Sequence, residues 1–237
     1  MINKFLLFIR AFLFWFIFAT STIFLSLVFL LFRLFGYIPA LYVAKLWAWI
    51  TIKGLEYICG ISYKINDLSK LVKNHNLIFS KHQSTWETIF FLLIIPKPIF
   101  IVKRELMFIP FFGWCLFLLK NIPINRSSGT RAIKKMIKET DRLYKDGFSI
   151  VLFPEGTRVA VNTRTAIKQG GIILSKKLNL PILPVTHNAG LYWPKHSFFK
   201  FPGKINLLIG DLINTSDLEI TDIKKQIEVW MDQELTV

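Results

Sequence analysis

The chain has 237 residues, enough for one domain with an apolar core and a short appendage. Hydrophobic residues make up 53% of it and the mean hydropathy is +0.45, yet a charged fraction of 19% excludes a polytopic membrane protein. The net charge of +15 predicts anionic partners such as acidic lipids, acidic carrier proteins or nucleic acid. Cys59 and Cys115 follow no metal-binding spacing, so we expect reduced, buried thiols.

A hydrophobic anchor is predicted near the N-terminus. Residues 11–32 carry no charge, and at about 1.5 Å per residue they are long enough to cross a bilayer. The run is longer than the apolar region of a signal peptide, so we expect it to be retained. Residues 34–50 predict a turn and then a helix with interfacial aromatic residues. A re-entrant hairpin fits these segments as well as a full span, and we assign residues 1–50 to the anchor.

The remaining residues, 51–237, are predicted to form one α/β domain. Short apolar runs alternate there with amphipathic segments, which is typical of a layered structure. The predicted strands are residues 77–80, 99–102, 148–153, 182–186 and 205–209. The predicted helices are residues 85–94, 130–145, 165–177 and 221–235. We expect a central mixed sheet flanked by helices.

Two further apolar segments, residues 90–95 and 108–119, are too short to span a bilayer. Prolines and a glycine interrupt them. Core packing is the expected role, and an apolar tunnel or a membrane-facing patch is the alternative.

The run HQSTWE follows the first predicted strand and contains a candidate general base. His82 precedes the predicted helix, and Glu87 lies in its first turn, where a carboxylate is favoured. The carboxylate can reach one ring nitrogen and leave the other free to accept a proton. A structural histidine near a strand end is the alternative interpretation.

The run FPEGTR follows the third predicted strand and contains a candidate anion site. Gly156 permits close backbone approach, and the Thr157 hydroxyl with the Arg158 fork suits a phosphate. A tight turn with a surface arginine is an equally simple interpretation.

Three other polar groups lie near predicted strand ends. Arg126 stands before a helix N-terminus and is a plausible anion ligand, whereas Lys103 is as compatible with a solvated surface. His187 could face the site, but a structural role is expected.

In this arrangement the chain resembles the glycerolipid acyltransferases, and among them the 1-acylglycerol-3-phosphate acyltransferases. The resemblance runs over residues 76–190 in four ordered blocks. These contain His82 with Glu87, then Lys103 leading to Arg126, then residues 153–158, then residues 181–186. The family usually has Asp where this chain has Glu87.

The resemblance implies transfer of an acyl group from acyl-carrier protein or acyl-CoA to the sn-2 hydroxyl of 1-acylglycerol 3-phosphate, giving phosphatidic acid. His82 would be the base and Glu87 its partner. The implied substrate-binding residues are Lys103, Arg126, Glu155, Gly156, Thr157 and Arg158. No metal or cofactor beyond the donor is expected. We expect membrane lipids and the donor as partners, no nucleic acid, and a catalytic domain at the cytoplasmic face of the inner membrane.

Several alternatives stay open at this point. The acceptor could be another lysophospholipid, a lyso-aminolipid or glycerol 3-phosphate. A membrane-tethered basic module that binds anionic lipid or nucleic acid would explain the charge but not the ordered blocks. A metal-dependent hydrolase would use His82, Glu87, His187 and His196, whose spacing follows no compact metal motif.

Overall fold

The computed structural model of the chain describes residues 3–161, 163 and 166–232, with the backbone alone at Arg126. It begins with two long helices, α1 (Lys4–Arg33) and α2 (Tyr37–Tyr57). Gly36 joins them at a φ of 121°, which glycine adopts readily, so the chain reverses within a short turn. Among the described helices, α1 alone is long and apolar enough to cross a membrane. The predicted apolar N-terminal helix is confirmed, and it extends beyond the predicted run at its N-terminal end.

Contacts hold α1 along the globular part at two distant points. Phe14 and Trp15 face Trp193, with ring centroids 5.5 and 6.0 Å apart. Further along α1, the Ser26 carbonyl lies 4.0 Å from the thiol of Cys115. The opposite side of α1 exposes large apolar side chains along much of its length. The helix therefore lies against the domain and presents one apolar face outward.

A seven-stranded sheet forms the centre of the molecule. Its strands are β1 (Ile61–Ile65), β2 (Leu77–Ser80), β3 (Pro98–Lys103), β4 (Ile122–Ile124), β5 (Ser149–Leu152), β6 (Ile182–His187) and β7 (Gly203–Ile209). Their order is β1-β7-β6-β2-β5-β3-β4. Only the β6–β7 pair is antiparallel among these described strands, so the predicted mixed sheet is confirmed.

The sequence did not predict the two edge strands, β1 and β4. β1 is only partly buried, and its sequence accordingly lacks the continuous apolar run by which a buried strand is recognised. β4 has three residues with Pro123 at its centre, and proline is tolerated on an edge strand because the edge needs fewer ladder hydrogen bonds.

Helices cover both faces of the sheet. They are α3 (Ser69–Val72), α4 (Trp86–Ile94), α5 (Phe112–Leu118), α6 (Thr130–Lys145), α7 (Gly170–Leu178) and α8 (Ile220–Met231). Residues of α2 and α4 share one apolar cluster on one face. Residues of α6, α7 and α8 share the cluster on the other face.

Two helix boundaries differ from the prediction. The helix predicted for residues 165–177 begins only at Gly170, and residue 165 lies outside the described residues. Before it, the backbone N–H of Lys168 donates to the carbonyl of Pro154 at 2.8 Å, which holds this segment extended beside the FPEGTR turn. The helix predicted for residues 221–235 ends at Met231, and residue 235 lies outside the described residues.

The two interrupted apolar segments have different environments. Phe90, Phe91 and Ile95 are buried in the core, as expected. The segment 108–119 was not predicted as a helix, but most of it forms α5, and Phe108 and Phe117 are exposed on the surface. Cys59 is buried as expected, whereas Cys115 in α5 is only half-buried.

Candidate active site

Five neighbouring strands end at the same edge of the sheet, where the candidate residues lie. β2, β3, β4, β5 and β6 are mutually parallel, so their carboxyl ends face one side. Ligands of open α/β sheets bind outside this edge. The edge therefore collects residues as far apart in the chain as His82 and His187.

His82 and Glu87 form a direct contact at the end of β2. Nδ1 of His82 lies 2.9 Å from Oε1 of Glu87. His82 follows the strand by two residues, and Glu87 is the second residue of α4. The strand end and the first helical turn thus place the ring against the carboxylate.

The carboxylate of Glu87 is completely buried and fully engaged. Oε1 accepts hydrogen bonds from the backbone N–H groups of Gln83 and Ser84, both at 2.9 Å, and Oε2 accepts from Ser84 at 3.1 Å. Burial opposes ionisation, but the facing histidines His187 and His82 and the N–H of Ser84 hold the pKa of Glu87 below its ordinary value. Glu87 is therefore a fixed anion behind the His82 ring.

This contact defines the tautomer of His82. A carboxylate oxygen accepts, so Nδ1 carries the proton and Nε2 is the acceptor in the neutral ring. No described residue bonds to Nε2. The ring also stacks on Phe153, with centroids 4.0 Å apart and an interplanar angle of 17°. Phe153 and Glu87 together fix the plane of the imidazole.

His187 lies behind Glu87, at the end of β6. It is buried, and its Nε2 lies 3.9 Å from Oε2 of Glu87. Nε2 donates to the carbonyl of Lys81 at 2.8 Å, and Nδ1 accepts from the N–H of Ala189 at 3.3 Å, which describes a neutral ring. Burial lowers the pKa of His187, although Glu87 opposes that shift. The sequence could indicate this position only through the parallel pairing of β6 with β2.

The FPEGTR turn is joined to the backbone of His82. Oε1 of Glu155 accepts from the N–H of His82 at 3.2 Å, and the N–H of Val159 donates to the His82 carbonyl at 2.8 Å. Gly156 has a φ of 73°, which closes the turn through its bond to the Phe153 carbonyl. The two motifs therefore form one hydrogen-bonded unit.

Glu155 is a buried carboxyl group in this unit. Burial raises its pKa to about 7, and the bonds from backbone N–H groups and the nearby Lys81 only partly oppose that shift. Within the described residues, Oε2 has no hydrogen-bond partner. The structure thus places Glu155 under the backbone of His82 and not at the surface of the turn.

Thr157 is exposed and Arg158 is half-buried on the outer side of the turn. The carbonyl of Arg158 accepts from Nζ of Lys195 at 3.0 Å. No described residue bonds to or pairs with the Arg158 guanidinium. Its side chain is therefore available to an anion.

Lys103 and Arg126 lie on the same sheet edge but further from His82. Lys103 ends β3, two strands from β2, which is roughly 10 Å at the usual strand spacing. It is exposed, with Nζ 3.9 Å from Oε1 of Glu105. Arg126 follows β4, three strands away or roughly 14 Å, in a turn capped by Asn125. Lys103 and the backbone of Arg126 thus lie on the same edge as His82, but two and three strands away from it.

An apolar cavity of about 250 Å³ opens beside Phe153. Residues of β5, α6 and α7 line it, among them Met136, Leu152 and Gly170. The side chain of Lys168 crosses its rim against Gly156, where a Cβ atom would lie 3.0 Å from the lysine side chain. Sequence reasoning missed Lys168, which had no motif around it.

Among the described residues, no three His, Cys, Asp or Glu side chains are arranged to hold a metal ion. His82, Glu87 and His187 are neighbours, but Glu87 lies between the two rings and accepts backbone hydrogen bonds with both oxygens. His196 lies in the loop before β7. The arrangement is suited to proton transfer by an oriented imidazole.

Comparisons with known proteins agree with this geometry. The family model described as Acyltransferase matches residues 61–188. The chain is 38% identical over 196 residues to the 1-acyl-sn-glycerol-3-phosphate acyltransferase of Pseudomonas aeruginosa, covering 81% of this chain and 76% of that protein. It is 26% identical over 176 residues to the human 1-acyl-sn-glycerol-3-phosphate acyltransferase beta, covering 73% and 63%.

The fold also has a solved counterpart. The crystal structure of the 1-acyl-sn-glycerophosphate acyltransferase from Thermotoga maritima aligns with a TM-score of 0.81 at 21% identity, covering 97% of this chain and 95% of that one. The family model covers more than half of the chain, and the geometry of His82 and Glu87 is that of an oriented base. The chain belongs to the acyltransferase family.

Proposed function

We propose that this enzyme transfers a fatty acyl group from a thioester to the sn-2 hydroxyl of 1-acylglycerol 3-phosphate, giving phosphatidic acid. The observation that carries the proposal is the 2.9 Å contact of His82 with the buried Glu87, in a unit bonded directly to the FPEGTR turn. The names of the relatives from Pseudomonas aeruginosa and Homo sapiens support the choice of acceptor.

His82 acts as general base in this proposal. Nε2 takes the proton of the acceptor hydroxyl while its oxygen attacks the thioester carbonyl, and Glu87 stabilises the imidazolium that forms. Collapse of the tetrahedral adduct breaks the carbon–sulfur bond, and the thiolate leaves and takes the proton from His82. The acyl group passes directly to the acceptor, so no nucleophilic side chain is needed.

The acceptor phosphate binds at the basic edge of the sheet. Arg158 is the principal ligand because no described residue pairs with its guanidinium and its neighbour Val159 is bonded to the His82 carbonyl. Gly156 and Thr157 shape the turn, while Glu155 supports the backbone of His82 from below. Lys103 and Arg126 add positive potential along the same edge.

The acyl chain fits the apolar cavity beside Phe153. Phe153, whose ring stacks on His82, lines this cavity, so an acyl chain bound there would hold its thioester carbonyl on the side of the attacking hydroxyl. Acyl-carrier protein and coenzyme A are both acidic donors and suit a chain of net charge +15. No metal or further cofactor has a role in this scheme.

The enzyme is membrane-associated, and we place its catalytic domain at the cytoplasmic face of the inner membrane. The exposed apolar face of α1 supports membrane contact, and both the acceptor and the product are bilayer lipids. Membrane lipids and the acyl donor are its partners, and nucleic acid is not.

The test is transfer of a radiolabelled acyl group to lysophosphatidic acid by membranes containing the wild type or His82→Ala. A positioned base contributes roughly 10²- to 10⁴-fold, so the variant should lose nearly all turnover. His75→Ala is the matched control because His75 is exposed and contacts Tyr144 edge to face, away from the site. A folded His82→Ala enzyme with most of its activity would rule out the mechanism. A preference for glycerol 3-phosphate or a lyso-aminolipid in an acceptor panel would show that the proposed acceptor is wrong.

A further inference from the structure

The loop that leads into β7 has an inverted distribution of polar and apolar side chains. We call residues 195–201 the aromatic loop. Phe198, Phe199 and Phe201 are 40, 39 and 38% exposed, whereas Lys200 between them is 1% exposed. A loop in water would normally bury its phenylalanines and expose its lysine.

Lys200 is turned inward into a cage of aromatic rings. Its Nζ lies 3.7 Å from the ring centroid of Trp15, 4.8 Å from that of Trp193 and 5.3 Å from that of Phe14. It also donates to the carbonyl of Phe198 at 2.9 Å. The rings and the carbonyl compensate the amine for lost water, so the inversion is built into the packing.

The cage fixes the aromatic loop to α1. Trp15 and Phe14 belong to that helix, and Nε1 of Trp15 donates to the Phe198 carbonyl at 3.0 Å. Phe8 of α1 meets Phe198 with ring centroids 5.8 Å apart. These contacts therefore hold the loop at a fixed position along α1.

The exposed phenylalanines of the loop continue the exposed face of α1. Phe5, Phe8 and Phe12 lie exposed on that helix, and Phe8 is itself in contact with the loop. The outward face of α1 is apolar, and the helix is long enough to cross a bilayer, so an adjoining apolar loop at the same level is suited to the same lipid phase. Phenylalanine outside and lysine inside is the arrangement expected for a segment in contact with lipid.

We propose that the aromatic loop is a second membrane-contact element, which inserts its phenylalanines into the interfacial layer of the bilayer beside α1. The net charge of +15 favours an anionic lipid surface over water or a second copy of this basic chain. Lys195, at the start of the loop, is bonded to the Arg158 carbonyl. The contact therefore places Arg158 near the lipid headgroups, a consequence that rests on the proposed function, whereas the contact itself does not.

Depth-dependent fluorescence quenching tests the proposal in the full chain. Cys115→Ala is the background, since Cys59 is completely buried and burial raises the pKa of its thiol to about 11, which keeps it unreactive. Phe199→Cys and, separately, Phe201→Cys receive an environment-sensitive fluorophore. Lys138→Cys on the exposed side of α6, on the opposite face of the sheet, is the matched control. Each protein is reconstituted in vesicles of phosphatidylcholine and phosphatidylglycerol.

Nitroxide groups near the lipid headgroups should quench the probes at 199 and 201 roughly threefold more than the probe at 138, and aqueous iodide should do the reverse. Equal iodide quenching at all three positions would overturn the proposal. Protection from iodide that grows with the ratio of protein to lipid would also overturn it, because a second copy would then cover the loop. The readout needs no turnover, so it is independent of the proposed acyl transfer.

Discussion

Nε2 of His187 lies 3.9 Å from Oε2 of Glu87, and both side chains are completely buried. Glu87 is thus enclosed between two imidazoles, one at the surface of the site and one in the core. Both of its oxygens accept hydrogen bonds from backbone N–H groups. The charge of Glu87 is therefore as much a requirement of the fold as of the chemistry.

Glu87→Gln should impair both the orientation of His82 and the stability of the fold. The amide group would face either Nδ1–H of His82 or backbone donors, so at least one buried donor loses its acceptor. We expect turnover to fall by about 10²- to 10⁴-fold and the unfolding temperature to fall as well. Glu87→Asp keeps the charge on a shorter side chain and should retain measurable turnover. Steady-state kinetics and thermal unfolding of both variants check this, and equal activity of Asp and Gln variants would contradict it.

Arg158→Ala should weaken the enzyme selectively toward phosphorylated acceptors. A hydrogen bond to a charged group contributes about 1.5–3 kcal/mol, so kcat/KM for lysophosphatidic acid should fall about 10- to 100-fold. The rate with an uncharged monoacylglycerol should change little. Arg142→Ala is the control, because Arg142 pairs with Glu139 on the exposed side of α6. A uniform fall for both acceptors would remove Arg158 from phosphate binding.

Glu155 should make the fold less stable as pH rises toward neutrality. Burial raises its pKa to about 7 from 4.5 in the unfolded chain. Between these values the folded state holds a proton that the unfolded state has lost, so stability is present below about pH 4.5 and is lost as pH rises through 7. The effect is on the order of 3 kcal/mol. Glu155→Gln should abolish this component, measured as the difference between the unfolding temperatures of the two proteins from pH 4.5 to 8. A constant difference would contradict the assignment.

Lys200, in contrast, should make the fold more stable as pH rises, and it should do so in a higher pH window. Burial lowers its pKa to about 7 from 10.5, although the Cys59 thiol opposes the shift. Between these values the unfolded state binds the extra proton, so stability rises with pH from about 7 to 10.5. Lys200→Met keeps the volume and removes the titration. The unfolding temperature of the wild type should rise relative to that of the variant as pH increases across this window, whereas a constant difference between the two would contradict the assignment.

The central strands were predictable from the sequence because they are buried on both faces. β2, β5 and β6 consist of residues that are all buried, and such strands appear as uninterrupted apolar runs. The edge strands β1 and β4 lack that continuity. The predicted start of α7 was wrong, because a hydrogen bond from the N–H of Lys168 to the carbonyl of Pro154 holds the chain extended where local propensity favoured a helix.

The part of the site whose residues are close together in the sequence was predictable. His82 and Glu87 are five residues apart, so the strand end and the helix start fix their contact. The burial of Glu155 beneath His82 and the position of His187 behind Glu87 depend on strand pairing, which spacing along the chain does not reveal. The cage around Lys200 unites two distant segments, α1 and residues 193–200, and has no sequence pattern of its own.

The stack of Phe153 on His82 has a consequence for regiochemistry. With one face covered by Phe153 and Nδ1 tied to Glu87, the ring can receive a proton at Nε2 only from a narrow range of directions in its own plane. A flexible base could serve any hydroxyl of a glycerol backbone. Under the proposed function a fixed base would serve the hydroxyl that the bound phosphate presents to it, so the choice between sn-1 and sn-2 would depend on the distance between Nε2 and the phosphate site.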